Sequence, residues 1–213
     1  MPRASRTNPL ALAVLVSLYE KPMHPYEVAQ TLRHRVKHES VRLNYGSLYA
    51  VVESLEKKGF IKATGTVREG KRPERTVYEI TDDGVREMND WMTDLIAVPA
   101  KEYPAFMAGL SFLASLPPDE ALAALQNRAD TLKMTLIGMR SAMKAAQQAG
   151  LPRLFELEGE YEEHQLSAEL KWVNALIGEM NLGSLEGLEL WRAFHTDGFN
   201  PEEVGFTFEF PEE

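Results

Sequence analysis

The 213-residue chain contains no cysteine. That excludes a disulfide framework and thiolate metal sites, and it fits a reducing compartment, so a cytoplasmic protein is expected. Also missing is any apolar run near the roughly 20 residues that a bilayer span needs. The start, MPRASRTNPLALAVLVSLYEKP, imitates a signal peptide, being basic and then apolar. However, Leu10–Tyr19 is short, no small-x-small cleavage site follows, and Glu20 and Lys21 close the run. Asn8 followed by Pro9 reads instead as the cap and first residue of a buried helix. There is no Gly-rich phosphate loop and no nucleophile elbow. Glu156, Glu158, Glu160, Glu162 and Glu163 form a solvated charge run rather than a carboxylate pair. No catalytic residue, cofactor or enzymatic activity is expected.

Positive charge is scarce overall, with a net charge of -9, which by itself argues against nucleic acid. Its distribution argues the other way. Residues 1–80 hold 14 Lys+Arg against 8 Asp+Glu, whereas residues 81–213 hold 9 against 24. A basic working module joined to an acidic one is the natural reading.

In the basic part, periodicity predicts helices at about 9–20, from 25 or 26 to about Val36, and at Tyr45–Lys58, the last stopped by Gly59. Two β-prone runs follow, Phe60–Thr66 and Thr76–Ile80, flanking the polar stretch VREGKRPER. Thr81, Asp82 and Asp83 cap a further helix with Val85, Met88, Met92, Leu95 and Ile96 on its apolar side. Three helices and a hairpin in this order describe a winged helix-turn-helix. Within NYGSLYAVVESLEKKGFI, Leu48, Val51, Val52 and Leu55 make the core stripe. The opposite row, Ser47, Ala50, Ser54 and Lys57, is small or polar, and Asn44 and Gly46 stand at its N-terminal end. A recognition helix entering a major groove needs such a face. Arg68, Lys71, Arg72 and Arg75 would lay the hairpin tip along flanking phosphates or a minor groove.

Past Val98 the chain turns helical and acidic. Asp119 caps a long helix whose Leu122, Leu125, Ala129, Leu132, Leu136, Met139 and Met143 alternate in steps of 3 and 4, a heptad seam that wants a partner. A second helix at about 154–182 carries Leu166, Leu170, Val173, Ile177 and Met180, plus a second stripe of Leu157, Tyr161, His164, Ala168 and Trp172. An intramolecular hairpin and a two-fold dimer both fit, and the wide face favours the dimer, whose symmetry would match a palindromic operator. The expected class is therefore mainly α with a small β-hairpin: an N-terminal winged helix (1–98), a coiled-coil-like helical dimerisation domain (99–197) and an acidic tail (198–213). No membrane partner is expected.

LALAVLVSLYEKPMHPYEVAQTL, NYGSLYAVVESLEKKGFI and GKRPERTVYEITDDG resemble the winged-helix domain of PadR-type transcriptional regulators. The resemblance rests on Pro22-Met23-His24-x-Tyr26, Gly46-Ser47-Leu48-Tyr49, Leu55-Glu56-x-x-Gly59 and Tyr78-x-Ile80-Thr81-x-x-Gly84. Pro25 and Ala50 depart from it, standing where Gly and Pro are common. The resemblance implies a homodimeric, usually repressing regulator of double-stranded DNA, which in some members a small aromatic or cationic effector releases. Carried over by position, Tyr26, Gly46, Ser47, Tyr49, Lys71 and Arg72 are DNA-side candidates. Tyr49 has an equal alternative, packing its ring between helix and wing. Tyr161, His164 and Trp172 are effector candidates, with plain packing as the other reading.

Two further classes stay open. A winged-helix interaction module would not bind DNA. A metal sensor could use His34 and His38 at i, i+4, although Arg33, Arg35 and Lys37 repel a cation and no metal site is assigned.

Overall fold

Asn8 opens the first helix by accepting the Leu10 amide on its side chain at 3.1 Å, with Pro9 at the first helical position. The computed structural model describes residues 8–35, 41, 43–67 and 75–196. It divides into two units, Met1–Glu102 and Tyr103–Glu213.

The first unit contains α1 (Pro9–Glu20), α2 (Pro25–His34), α3 (Tyr45–Lys57), β1 (Ile61–Val67), β2 (Arg75–Ile80) and α4 (Asp82–Ala97). Leu10, Leu12, Val14, Leu15 and Leu18 bury α1 on nearly every side, as an all-round apolar helix must be. It contacts α2, α3, β2 and α4, which explains why its sequence imitates a signal peptide. α2 stops at His34 rather than Val36, and residues 36–40 lie outside the described set. On α4 the expected apolar side needs correction. Met88 and Trp91 are the buried large residues, Val85 is half-buried, and Met92, Leu95 and Ile96 are exposed.

β1 and β2 pair antiparallel, with a register slip between Ala63 and Gly65. The Thr64 hydroxyl at that slip donates to the Val77 carbonyl at 3.2 Å. Met23 adds a short third rung, its N–H donating to the Tyr78 carbonyl at 3.1 Å and its carbonyl accepting from the Tyr78 N–H at 3.0 Å.

Two of the sequence motifs meet in space. Gly59 ends α3 at φ +75, a left-handed conformation that glycine adopts without cost. Thr81 donates its hydroxyl to the Gly59 carbonyl at 2.7 Å and its N–H to the Phe60 carbonyl at 3.0 Å. The same hydroxyl accepts the Gly84 amide at 3.1 Å. Gly84 must lack a side chain, because a Cβ there would lie 2.0 Å from the Phe60 oxygen. Leu55-Glu56-x-x-Gly59 and Tyr78-x-Ile80-Thr81-x-x-Gly84 are thus two halves of one lock between α3, the hairpin and α4.

The second unit contains α5 (Ala105–Ser111), α6 (Pro118–Gln148), α7 (Leu157–Leu182) and α8 (Leu188–Phe194), with 3-10 turns at Leu113–Ser115 and Arg153–Phe155. α6 begins one residue before the expected cap, so Asp119 sits in its first turn. The ion pairs Arg128–Glu169 (2.5 Å) and Arg140–Glu163 (2.5 Å) set α6 and α7 antiparallel. Trp191 docks α8 by donating its indole N–H to the Leu116 carbonyl at 2.8 Å.

This pairing buries part of the expected dimer seam within one chain. Leu125, Leu132, Leu136 and Val173 are already buried within one chain, so a second copy has no surface of theirs to cover. Leu122, Met139, Met143, Leu166, Leu170 and Ile177 are half-buried. Within one chain the heptad steps of α6 pack in part against α7.

Candidate nucleic-acid interface

Asn44 starts α3 by accepting the Gly46 N–H at 2.8 Å and the Ser47 N–H at 3.5 Å on its side-chain oxygen. Asn44 therefore acts first as a helix cap. Leu48, Val51, Val52 and Leu55 are buried, which fixes the rotation of the helix. Gly46, Ser47, Tyr49, Ala50, Ser54 and Lys57 are consequently exposed. Short side chains at 47, 50 and 54 leave the helix surface low enough for a groove edge to approach, and the helix N-terminus adds partial positive charge. Glu53 shares this exposed surface, and the sequence reading did not single it out. A carboxylate there repels phosphate but can accept from a cytosine amino group.

Tyr49, for which two readings stood open, makes an edge-on contact with the His24 ring, centroids 6.3 Å apart, and remains 48% exposed. His24 is the N-cap of α2. Its Nδ1 accepts the Tyr26 N–H at 3.1 Å, while Glu27 accepts the His24 N–H at 2.8 Å, a reciprocal capping box.

Tyr26 stacks on Tyr45, centroids 6.2 Å apart and planes 11° from parallel. The Arg33 guanidinium lies 4.6 Å from the centre of the same Tyr45 ring and donates to its hydroxyl. Tyr26 and Tyr45 are 40% and 38% exposed. The sequence reading missed Tyr45 and Arg33, although Tyr45 lies in the quoted NYGSLY segment.

At the base of the hairpin, Lys62 pairs with Glu79 across the strands at 2.8 Å. Burial, with the Glu56 and Glu53 carboxylates nearby, pushes the Tyr78 phenol above its ordinary value. Arg75 occupies the first position of β2. Arg68, Lys71 and Arg72 lie outside the described residues, as does His38. His34 is exposed on the last turn of α2.

In the second unit, Tyr161, His164 and Trp172 lie on α7, and all three are exposed. The Trp172 ring meets Phe106 edge-on at 6.2 Å, and the Arg128 guanidinium lies 3.6 Å from the centre of the Phe106 ring. The three candidates share a stripe, but the direct ring contact on it is that of Trp172.

Residues 14–90 match the model of the Transcriptional regulator PadR-like family. Through this region, about a third of its length, the chain is similar to that family. The members of that family are described as transcriptional regulators. The match spans most of α1 through the first half of α4 and so contains every DNA-side candidate. A negative transcriptional regulator PadR from Bacillus subtilis (strain 168) is 24% identical over 160 residues, covering 75% of this chain and 77% of that protein. Bacillus subtilis PadR in complex with operator DNA superposes with a TM-score of 0.66 at 18% identity, covering 81% of this chain and 99% of that one. Bacillus subtilis PadR in complex with p-coumaric acid gives 0.64 at 17% identity, covering 81% and 95%. These superpositions establish the PadR winged-helix fold. Among the described residues no helix is long and apolar enough to cross a membrane.

Proposed function

We propose that the chain is a dimeric repressor that binds a pseudo-palindromic operator and is released by a small aromatic molecule. The carrying observation is the division of α3 into a fully enclosed apolar side and an exposed small, polar side at a capped N-terminus. Two copies would place these helices in major grooves about one helical turn apart, with the 61–80 hairpins along flanking phosphates. The repressing sign is supported by the negative regulator to which the chain is similar. The effector class is supported by the p-coumaric acid complex of the Bacillus protein.

The second copy is supported by the α7 stripe of Leu157, Tyr161 and Trp172, which one chain leaves open. In this reading 1–98 binds DNA, 99–197 dimerises, and Trp172, Tyr161 and His164 belong to the effector-responsive surface. The protein works in the cytoplasm, where the DNA is.

The deciding experiment is salt-dependent binding to the DNA upstream of the chain's own coding region, with the mass of the complex measured in the same samples. Salt-sensitive binding as a dimer, well above binding to scrambled DNA, is the expected result. Lys71→Ala with Arg72→Ala should weaken it and flatten the slope of log K against log salt by about 0.9 for each phosphate no longer neutralised. Equal, weak binding to both DNAs, with no preferred site in a genome-wide selection, would favour an interaction module instead.

A further inference from the structure

We infer that Arg33, held against Tyr45, is a DNA-backbone contact, with the Tyr45 hydroxyl donating beside it to the same phosphate. The inference rests on α3 being the helix that enters the groove. It adds a phosphate site outside the wing, built on an arginine outside every stretch that carried the family resemblance.

The geometry begins with spacing. Tyr26 and Arg33 are seven residues apart on α2, about 10.5 Å along a helix axis. Tyr45, the first residue of α3, lies 6.2 Å from one and 4.6 Å from the other, so its ring fills the interval between them. A stacked guanidinium has given up its rotamer freedom in advance, and its remaining N–H groups keep a fixed fork that suits a phosphate. Arg33 donates one N–H to the Tyr45 oxygen, and that oxygen, as acceptor, leaves its own hydrogen to be donated outward.

The charge balance also separates Arg33 from its neighbour. Arg35 is held by Glu20 at 2.5 and 2.8 Å, whereas no ion pair joins Arg33 to a carboxylate among the described residues. One of these two arginines is neutralised within the protein, and the other is presented at the N-terminal end of the recognition helix. The ligand class is therefore a phosphodiester oxygen.

The test compares the wild-type chain with Arg33→Gln, Arg33→Lys and Tyr45→Phe. Each is titrated across a salt series against a duplex recovered by in vitro selection and against a scrambled duplex of equal length, with thermal melting alongside. Arg33→Gln should flatten the salt slope by about 0.9 per arginine engaged. It should do so on both duplexes, because phosphate contacts carry no sequence information. Arg33→Lys should restore the slope but not the full affinity, since an ammonium neither stacks nor forks. Tyr45→Phe should keep the slope and weaken binding. An unchanged slope in Arg33→Gln would overturn the inference while leaving the regulator reading intact. So would a loss confined to the selected duplex, which would mark a base contact. A wild-type chain that bound neither duplex would remove both together.

Discussion

In Met1–Glu102 the buried residues surround α1, drawn from α1, α2, α3, β1 and α4, whereas in Tyr103–Glu213 the main cluster lines one side of a long two-helix arm closed by α8. The first unit leaves a small, polar helix face outward. The second leaves Tyr103, Met107, Phe112, Met134, Ile137, Leu154, Phe155 and Tyr161 exposed, each with more than half of its surface open. Charge differs as well: the first unit holds 16 Lys+Arg against 14 Asp+Glu, with its excess of positive charge all before residue 81, and the second holds 7 against 18. A core that closes on itself frees a surface for a charged polymer. An arm that cannot close on itself keeps apolar area for another protein surface.

The largest expected effect falls inside the closed core. Leu48→Ala, at a position with no exposure, should lower stability by about 3 kcal/mol in chemical denaturation, equally at all protein concentrations. A loss that shrank as concentration rose would show that the first unit also leans on a second copy. Next comes Gly84→Ala, which forces a methyl group against the Phe60 carbonyl and should cost about 2 kcal/mol, read as a lower melting temperature.

The arm should respond differently. Tyr161→Glu with Trp172→Glu should leave the circular dichroism unchanged but weaken self-association at least about tenfold, roughly 1.4 kcal/mol, in sedimentation equilibrium. Dimers that survived the double change would move the interface elsewhere on the second unit.

The smallest effect is at Glu20. Its hydrogen bond to Arg35 holds the carboxyl below its usual range, against a small opposing effect of burial. The charged form is thus favoured in the folded state. Its contribution is present at neutral pH and is lost as the pH falls from the ordinary carboxylate range through the lowered value. Because both side chains are substantially exposed, Glu20→Gln should cost about 0.5 kcal/mol or less at neutral pH and slightly flatten the acid limb of stability. A larger cost would mean that Glu20 also positions α2.

Most of the first unit was legible because its signals are local. Asn8-Pro9, Gly59 and Thr81 punctuate the chain through their own backbone and side-chain chemistry, and each sits where the spacing placed it. Leu48, Val51, Val52 and Leu55 were readable for a related reason, since periodicity fixes which side of α3 faces inward. Periodicity alone was less reliable on α4, where Trp91 takes the buried place and Leu95 and Ile96 stay exposed. Apolar spacing says that a face exists, not how much of it the neighbours cover. The α6 seam shows the same limit, because a heptad pattern does not tell its own chain from another. The sandwich of Tyr26, Tyr45 and Arg33 was hidden for a different reason. Its three members come from two helices and meet only when those helices pack.

The Met23–Tyr78 bridge has a consequence in time rather than in space. Its two hydrogen bonds tie the start of α2 to the middle of β2, one residue before the cap that orders His24 and, through its ring, touches Tyr49. Neither rung can open without the other, so the amides of Met23 and Tyr78 belong to a single exchange unit. In hydrogen–deuterium exchange they should become labelled together, on the clock of the core and not of the surface. The hairpin base and the start of α2 therefore breathe as one piece.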